Sequence, residues 1–438
     1  MLVWTNGWPL GDGGVLVVVC QHKNPSSTCD VLHSESRDDL LTALEYSTGN
    51  ARFRQHDELR YSLWSAFQNT KTWKDSVWHV VTADVPDPEA FDDNQRLGLV
   101  PQWLDIECSW ARGANGEPPV YLYHDSEVFH LTSSPGHVPS LEEVETWRNA
   151  VLPTFNSMAV ESQLPHLDPE VVSENIVYLN DNQFLTLPLP PSAFHSPLYG
   201  PVFRLDTFFM IQGDPSGDAP GGGEWCSLGW SAHILNQRFG SRARAYVRHN
   251  ARSFSLPLMH EAALTFGEYF ALTPMSQFRS AHDVGGEFEV NTIFSATHFV
   301  MEWHREALLW SHLGAHAHLS PWPIRLLTTA DCLSSRAGTG RVAPNHTRES
   351  TAITRKPARF AVRLIQRYAY AITKTPSVFF GVSSAEQGKL MFSWLPADLA
   401  LLCVNDDLDD GALNVTQGDV MLRRWFQDKW PERLDYEK

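Results

Sequence analysis

Two rhythms alternate along the chain. Apolar runs of strand length recur at residues 14–20, 78–82, 119–124, 175–179 and 401–404, and the second of them is closed by Asp84 and Pro86. Between these runs the period is helical. Residues 37–46 read as one helix, and another begins at Asp57, where Leu59, Leu63 and Phe67 fall at i, i+4 and i+8 and share a face. Asp57 and Glu58 sit where a helix N-terminus favours negative charge. Residues 141–152 form a third helical stretch, and Asn156 suits the N-cap of a fourth. This alternation predicts an α/β fold, Rossmann-like, with a mostly parallel sheet covered by helices on both faces. Such sheets bind ligands beyond the carboxyl ends of their strands. Two stretches rich in Gly, Pro or Ser interrupt the pattern. Residues 213–223 read as a loop, either a lid or an insertion, and 334–357 as a flexible, solvated, locally basic insertion.

Composition narrows the class. With 438 residues, 43% hydrophobic and 19% charged, the chain can bury a large core, so disordered, collagenous and coiled-coil readings fall away. Lys plus Arg total 34 against 51 for Asp plus Glu, a net charge of −17. Such a field repels nucleic acid and anionic membrane, yet allows an anionic substrate held through a divalent metal. No apolar run approaches the roughly 20 residues of a membrane span. The six cysteines are scattered without a C-x-x-C pair, which argues against zinc-ribbon and thioredoxin-like sites; they fit either disulfides or buried thiols. Asn345-His346-Thr347 and Asn414-Val415-Thr416 are glycosylation sequons.

The candidate chemistry lies at strand ends. Asn180-Asp181-Asn182 follows one buried strand and Asn405-Asp406-Asp407 closes another. Oxygen ligands so placed suit Mg²⁺ or Mn²⁺, although Asn and Asp also favour ordinary turns. An EF-hand reading of the second cluster fails, because Leu408 and Gln417 would occupy ligand positions. Glu161, early in the helix opened by Asn156, could act as a base or metal ligand, or complement the helix dipole. Arg279 offers a guanidinium for a diphosphate, or pairs with Asp283 on the surface. His298, His304, His312, His316 and His318 are dense but lack His-Glu-x-x-His. Walker A, G-x-S-x-G and G-x-G-x-x-G motifs are absent.

Taken together, several segments resemble the Stealth family of sugar-phosphate transferases, defined by four conserved regions. The second region, residues 52–185, carries Asp57-Glu58-Leu59-Arg60-Tyr61-Ser62-Leu63, Trp78-His79-Val80-Val81-Thr82, Pro101-Gln102-Trp103-Leu104, Leu152-Pro153-Thr154-Phe155-Asn156-Ser157 with Val160-Glu161-Ser162, and Tyr178-Leu179-Asn180-Asp181, in the family's order. The third, residues 246–310, resembles His260 followed by Phe278-Arg279 and Asp283. The fourth, residues 398–438, carries Cys403-Val404-Asn405-Asp406-Asp407 with Trp425-Phe426 and Trp430-Pro431. Two departures stand out. Asn182 replaces the family's usual second Asp, and the first region, residues 1–12, is degenerate around Val3-Trp4-Thr5-Asn6-Gly7.

The resemblance implies a single elaborated catalytic domain over 1–438, similar to nucleotide-sugar transferases. It implies transfer of a sugar-1-phosphate from a nucleotide-diphosphate sugar to a hydroxyl of a glycan or glycoprotein acceptor, with release of UMP from a UDP-sugar. The phrasing is most similar to the fungal branch, where UDP-xylose and mannose are donor and acceptor. Implied catalytic residues are Glu161, Asp283, Arg279 and His260. Asn6, Arg60, Asn156, Asn180 and Asn405 bind substrate in this reading, and Asp181, Asn182, Asp406 and Asp407 hold Mn²⁺ or Mg²⁺. Nucleic acid is not an expected partner. The family implies a secretory-pathway location in the Golgi and a membrane anchor in an N-terminal segment missing from this chain. Two rivals stay open. A metal-dependent glycosyltransferase would release UDP, and an inactive carbohydrate-binding homologue would bind a donor without turnover.

Overall fold

The computed structural model describes residues 2–3, 13–19, 54–86, 96–132, 137–154, 156–216, 224–277, 289–317, 355–409 and 411–438. The helix expected at 37–46, nearly all of the 334–357 insertion, and Asn6, Arg279 and Asp283 lie outside them. The chain forms two compact units, one of residues 1–299 with 370–438 and one of 300–369.

The larger unit is mixed α/β. Its main sheet contains β1 (Leu2–Val3), β2 (Gly13–Val19), β3 (Lys74–Thr82), β4 (Val120–His124) and β5 (Asn175–Asn180). Strand β2 runs parallel to both β3 and β5, and β3 parallel to β4. The long helix α1 (Glu58–Asn69) precedes β3; α2 (Leu141–Val151) and the short α3 (Ser157–Glu161) precede β5. As the sequence suggests, Asn156 caps α3, its side-chain oxygen accepting from the Met158 N–H at 3.0 Å.

The sheet is less uniform than the predicted parallel layer. After β5, Asp181 and Asn182 turn the chain into β6 (Gln183–Leu185), which leaves the main sheet. It pairs antiparallel with β11 (Leu401–Asp406), and β11 runs parallel to β10 (Ser377–Val382). The last apolar run of the sequence therefore belongs to a separate three-stranded sheet. A two-stranded ribbon of β7 (Leu205–Ile211) and β8 (Arg244–Val247) stands apart, with α4 (Glu224–Phe239) between its strands in sequence. Strand β9 (Arg252–Ser255) returns to the main sheet antiparallel to β5, and α5 (Leu256–Thr265) follows it.

Aromatic packing fixes the three-stranded sheet. Phe184 of β6 stacks on Trp430 at 5.0 Å and lies 4.9 Å from Phe426 of the C-terminal helix, which also meets Tyr61 of α1 at 5.4 Å. All four rings are buried. This accounts for Trp425-Phe426 and Trp430-Pro431 accompanying the Asn405-Asp406-Asp407 motif: rings at the end of the C-terminal helix pack on β6, the strand paired with the one that carries it.

In the smaller unit, a helix beginning at Thr292 continues to Ala317, and a second covers Arg355–Arg367. Trp303 and Tyr368 stack there at 5.4 Å, almost parallel.

Candidate active site

The two strand-end motifs meet. Asn182 donates from Nδ2 to Oδ1 of Asn405 at 2.7 Å across 223 positions of sequence. Both residues line a cavity of about 470 Å³ in the larger unit. The cavity opens where β5 and β11 end, as expected for ligand sites of parallel strands. The Oδ1 of Asn182 is buried and accepts no hydrogen bond from the protein, so a polar ligand atom is the natural partner.

Glu161 enters from the end of α3. Its side chain is 3% exposed, and Oε1 accepts a hydrogen bond from the Tyr178 hydroxyl at 2.7 Å. Burial, reinforced by the Glu161 charge, pushes the Tyr178 phenol well above its ordinary value. Tyr178 therefore stays protonated and acts as a donor that orients Glu161.

Facing them is a cationic wall that the sequence reading passed over. Arg248, His249 and Arg252 all line the cavity. Arg252 donates from Nε to the Arg248 carbonyl at 3.0 Å and from a terminal nitrogen to Nδ1 of His249 at 3.1 Å. A donating guanidinium makes Nδ1 the acceptor, which places the ring proton on Nε2. That nitrogen lies 3.5 Å from Nδ2 of Asn180, itself a donor, so no hydrogen bond joins the two in this tautomer. Arg248 is positioned by Oγ of Ser377 at 3.0 Å and lies 3.7 Å from Asp206. An aromatic wall completes the cavity: Trp225 stacks on Tyr246 at 5.8 Å and meets Phe209 at 6.3 Å. The available signal was the Arg244–Arg252 stretch, three arginines and a histidine within a strongly acidic chain, but no motif marks it as a site.

The other sequence candidates are placed as follows. Asn180 is buried behind His249, and Asp181 is buried in the turn before Asn182. Asp406 points away from the cavity, since neighbouring residues of a strand face opposite sides. It accepts from Arg54 Nε at 2.6 Å, from the Leu408 N–H at 2.9 Å, and meets Nε2 of His56 at 3.0 Å. Nδ1 of His56 meets Asp419 at 2.8 Å. Burial alone would lower the His56 pKa, but its two carboxylate partners and Glu58 override it and raise it to about 9. Burial likewise opposes the charge of Asp406, yet His56, Arg54 and the Leu408 amide bring its pKa down to about 2. Asp407 is exposed and lies against Gly381. Arg60 pairs with Glu437 and covers the Trp64 ring, while Asn156 caps α3 and donates to Glu289 at 3.1 Å. His260 is exposed on α5, its Nδ1 3.1 Å from the Pro165 carbonyl and its ring edge-on to His166. The structure thus brings Glu161, Asn182 and Asn405 onto one cavity with Asn180 behind them. It places Arg60, Asn156, His260, Asp406 and Asp407 in other surroundings.

The cavity's oxygen groups are the place to test a divalent cation. Among the described residues no group of three or more His, Cys, Asp or Glu side chains could hold a metal ion. The unpartnered Asn182 Oδ1, the amide oxygen of Asn405 and Glu161 on the same cavity are hard oxygen donors. Such an incomplete set suits Mg²⁺ or Mn²⁺ when phosphate oxygens of a substrate supply the remainder.

No family model matches the chain. It is 35% identical over 199 residues to a 3-O-alpha-D-mannopyranosyl-alpha-D-mannopyranose xylosylphosphotransferase of Cryptococcus neoformans var. neoformans serotype D (strain JEC21 / ATCC MYA-565), covering 43% of this chain and 23% of that protein. An enzyme of the same name from Cryptococcus neoformans var. grubii is 37% identical over 194 residues, covering 42% and 22%. A bacterial exopolysaccharide phosphotransferase of Nocardia farcinica is 26% identical over 240 residues, covering 55% and 38%. The chain thus spans well under half the length of these relatives. Over part of its length the chain is thus similar both to fungal xylosylphosphotransferases and to bacterial exopolysaccharide phosphotransferases, in line with its resemblance to the Stealth sugar-phosphate transferases.

Proposed function

We propose that this protein transfers a sugar-1-phosphate from a nucleotide-diphosphate sugar to a hydroxyl of an acceptor glycan. The observation that carries the reading is the Asn182–Asn405 contact, which joins both strand-end motifs on a cavity shared with Glu161, Arg248 and Arg252. The reaction needs a carboxylate beside the attacking hydroxyl and positive charge beside the diphosphate, and the cavity has both.

In the proposed cycle Arg248 and Arg252 hold the diphosphate, and the stacked Trp225 and Tyr246 take the flat rings of the donor. The acceptor oxygen attacks the phosphorus that bears the sugar. The bond from that phosphorus to the bridging oxygen breaks, and the nucleoside monophosphate leaves with the electron pair. Glu161, aligned by Tyr178, takes the acceptor proton, so a phosphodiester forms and atoms and charge balance. Asn182 and Asn405 are the groups that would hold Mg²⁺ or Mn²⁺, and a bound cation would neutralise charge on the phosphates. Transfer of xylosyl phosphate to a mannose disaccharide follows from the names of the fungal relatives, while a UDP carrier and a Golgi location follow from the family resemblance; all extend the proposal.

Incubation with a panel of UDP-sugars, a mannose disaccharide and Mn²⁺ tests it. UMP and a phosphodiester resonance in the phosphorus NMR spectrum are expected. Release of UDP with a glycosidic product overturns it.

A further inference from the structure

The ribbon beside the cavity carries an unusual register break. Asp206 pairs with Tyr246, but the next pair is Met210 with Ala245, so Thr207, Phe208 and Phe209 have no residue opposite them. Asp206 closes the bulge by accepting the Phe208 N–H at 2.9 Å. The result is a protruding aromatic ledge. Phe208 is 92% exposed, Phe209 56% and Trp225 40%. Asp206, Phe209 and Trp225 line the cavity, whereas Phe208 lies outside it. The ledge therefore continues the cavity's aromatic wall into solvent. Bulges of this kind re-aim side chains next to active sites, and an exposed apolar patch rimmed by polar groups marks a binding surface.

We infer that Phe208 and Phe209 form the platform on which a pyranose ring of the acceptor glycan stacks while its hydroxyl reaches Glu161. The inference rests on the transferase reading. A pyranose presents C–H bonds on its faces and hydroxyls at its edge. The electropositive C–H face complements the negative face of an aromatic ring, and the hydroxyls can donate to Asp206 and accept from Arg248 beside the platform. A lipid surface fits less well, because the net charge of −17 and the Asp206 carboxylate oppose anionic headgroups. The donor is held by the inner rings, so the outer ledge is left for the partner that arrives from solvent.

The test compares wild type with Phe208→Ala and Phe208→Trp, measuring UMP release with and without a mannose disaccharide. Phe208→Ala is expected to raise the acceptor KM about tenfold while the donor KM and acceptor-free donor hydrolysis stay unchanged; Phe208→Trp should restore the KM. Equal acceptor KM values overturn the inference even though the transferase reading stands. If wild type releases no UMP at all, that reading fails, and saturation-transfer NMR with the same disaccharide decides the platform separately. Sugar signals lost in Phe208→Ala support it, and signals equal to wild type refute it. Phe208-dependent binding to phosphatidylserine vesicles in place of sugar also refutes it.

Discussion

His56→Gln offers a quantitative test of the ion cluster behind β11. Each nitrogen of the His56 ring meets a carboxylate, Asp406 at 3.0 Å and Asp419 at 2.8 Å, so both are donors and the ring is charged. In the unfolded chain the ring loses its proton near 6.5, and in the folded protein it keeps it up to about 9. At about 1.4 kcal/mol for each pH unit, this gap amounts to about 3 kcal/mol. Because the folded value is the higher one, this stability is present in full below pH 6.5 and disappears as pH rises through 9. Gln removes the charge and leaves Asp406 and Asp419 partly uncompensated, at a cost of about 3–5 kcal/mol near pH 6. Urea unfolding of both proteins from pH 6 to pH 9.5, followed by tryptophan fluorescence, measures the difference. It should narrow by about 3 kcal/mol across that range. A difference that does not change with pH would show that His56 is not held charged, and the reasoning would be refuted.

Three further outcomes follow from the structure. Glu161→Gln should lower turnover by a factor of about 10²–10⁴ while the circular dichroism spectrum and donor affinity hold, because only the proton acceptor is lost; undiminished UMP release would remove Glu161 from its role. Asn182→Asp sets a carboxylate against the Asn405 oxygen now receiving a hydrogen bond, which forces the Asn405 amide to turn over and adds charge to the cavity. Isothermal titration should show Mn²⁺ binding more tightly than in wild type, and unchanged affinity would place any cation elsewhere. Phe184→Ala should cost about 3–5 kcal/mol in chemical unfolding, since the ring fills the space between Phe426 and Trp430; a loss below 1 kcal/mol would mean that the C-terminal helix (Ala412–Lys429) does not depend on that packing.

Much of the fold was legible because buried strands announce themselves. The runs at 78–82, 119–124, 175–179 and 401–404 all lie on strands, being apolar stretches stopped by turn residues. What escaped was pairing: nothing local in Gln183–Leu185 says that it leaves the main sheet for β11. The ribbon was also hidden, since its bulge breaks the alternation that identifies a strand. At the site, convergence of the two Asn motifs was readable, because both end buried strands. The separate duties of Asn405 and Asp406 were not, for they depend on which side of β11 faces the cavity. Arg248, His249 and Arg252 went unnoticed because a short loop and strand ends position them through backbone contacts that leave no spacing rule.

The pairing of β6 with β11 also orders events during synthesis. Asn182 leaves the ribosome 223 residues before its partner Asn405, and in that interval β6 has no strand beside it and Phe184 no ring to rest on. An unpaired strand edge next to exposed aromatic surface invites association with other chains. A nascent chain of this protein therefore stays vulnerable until β11 has emerged, and premature termination before Leu401 should yield aggregates rather than a smaller folded protein.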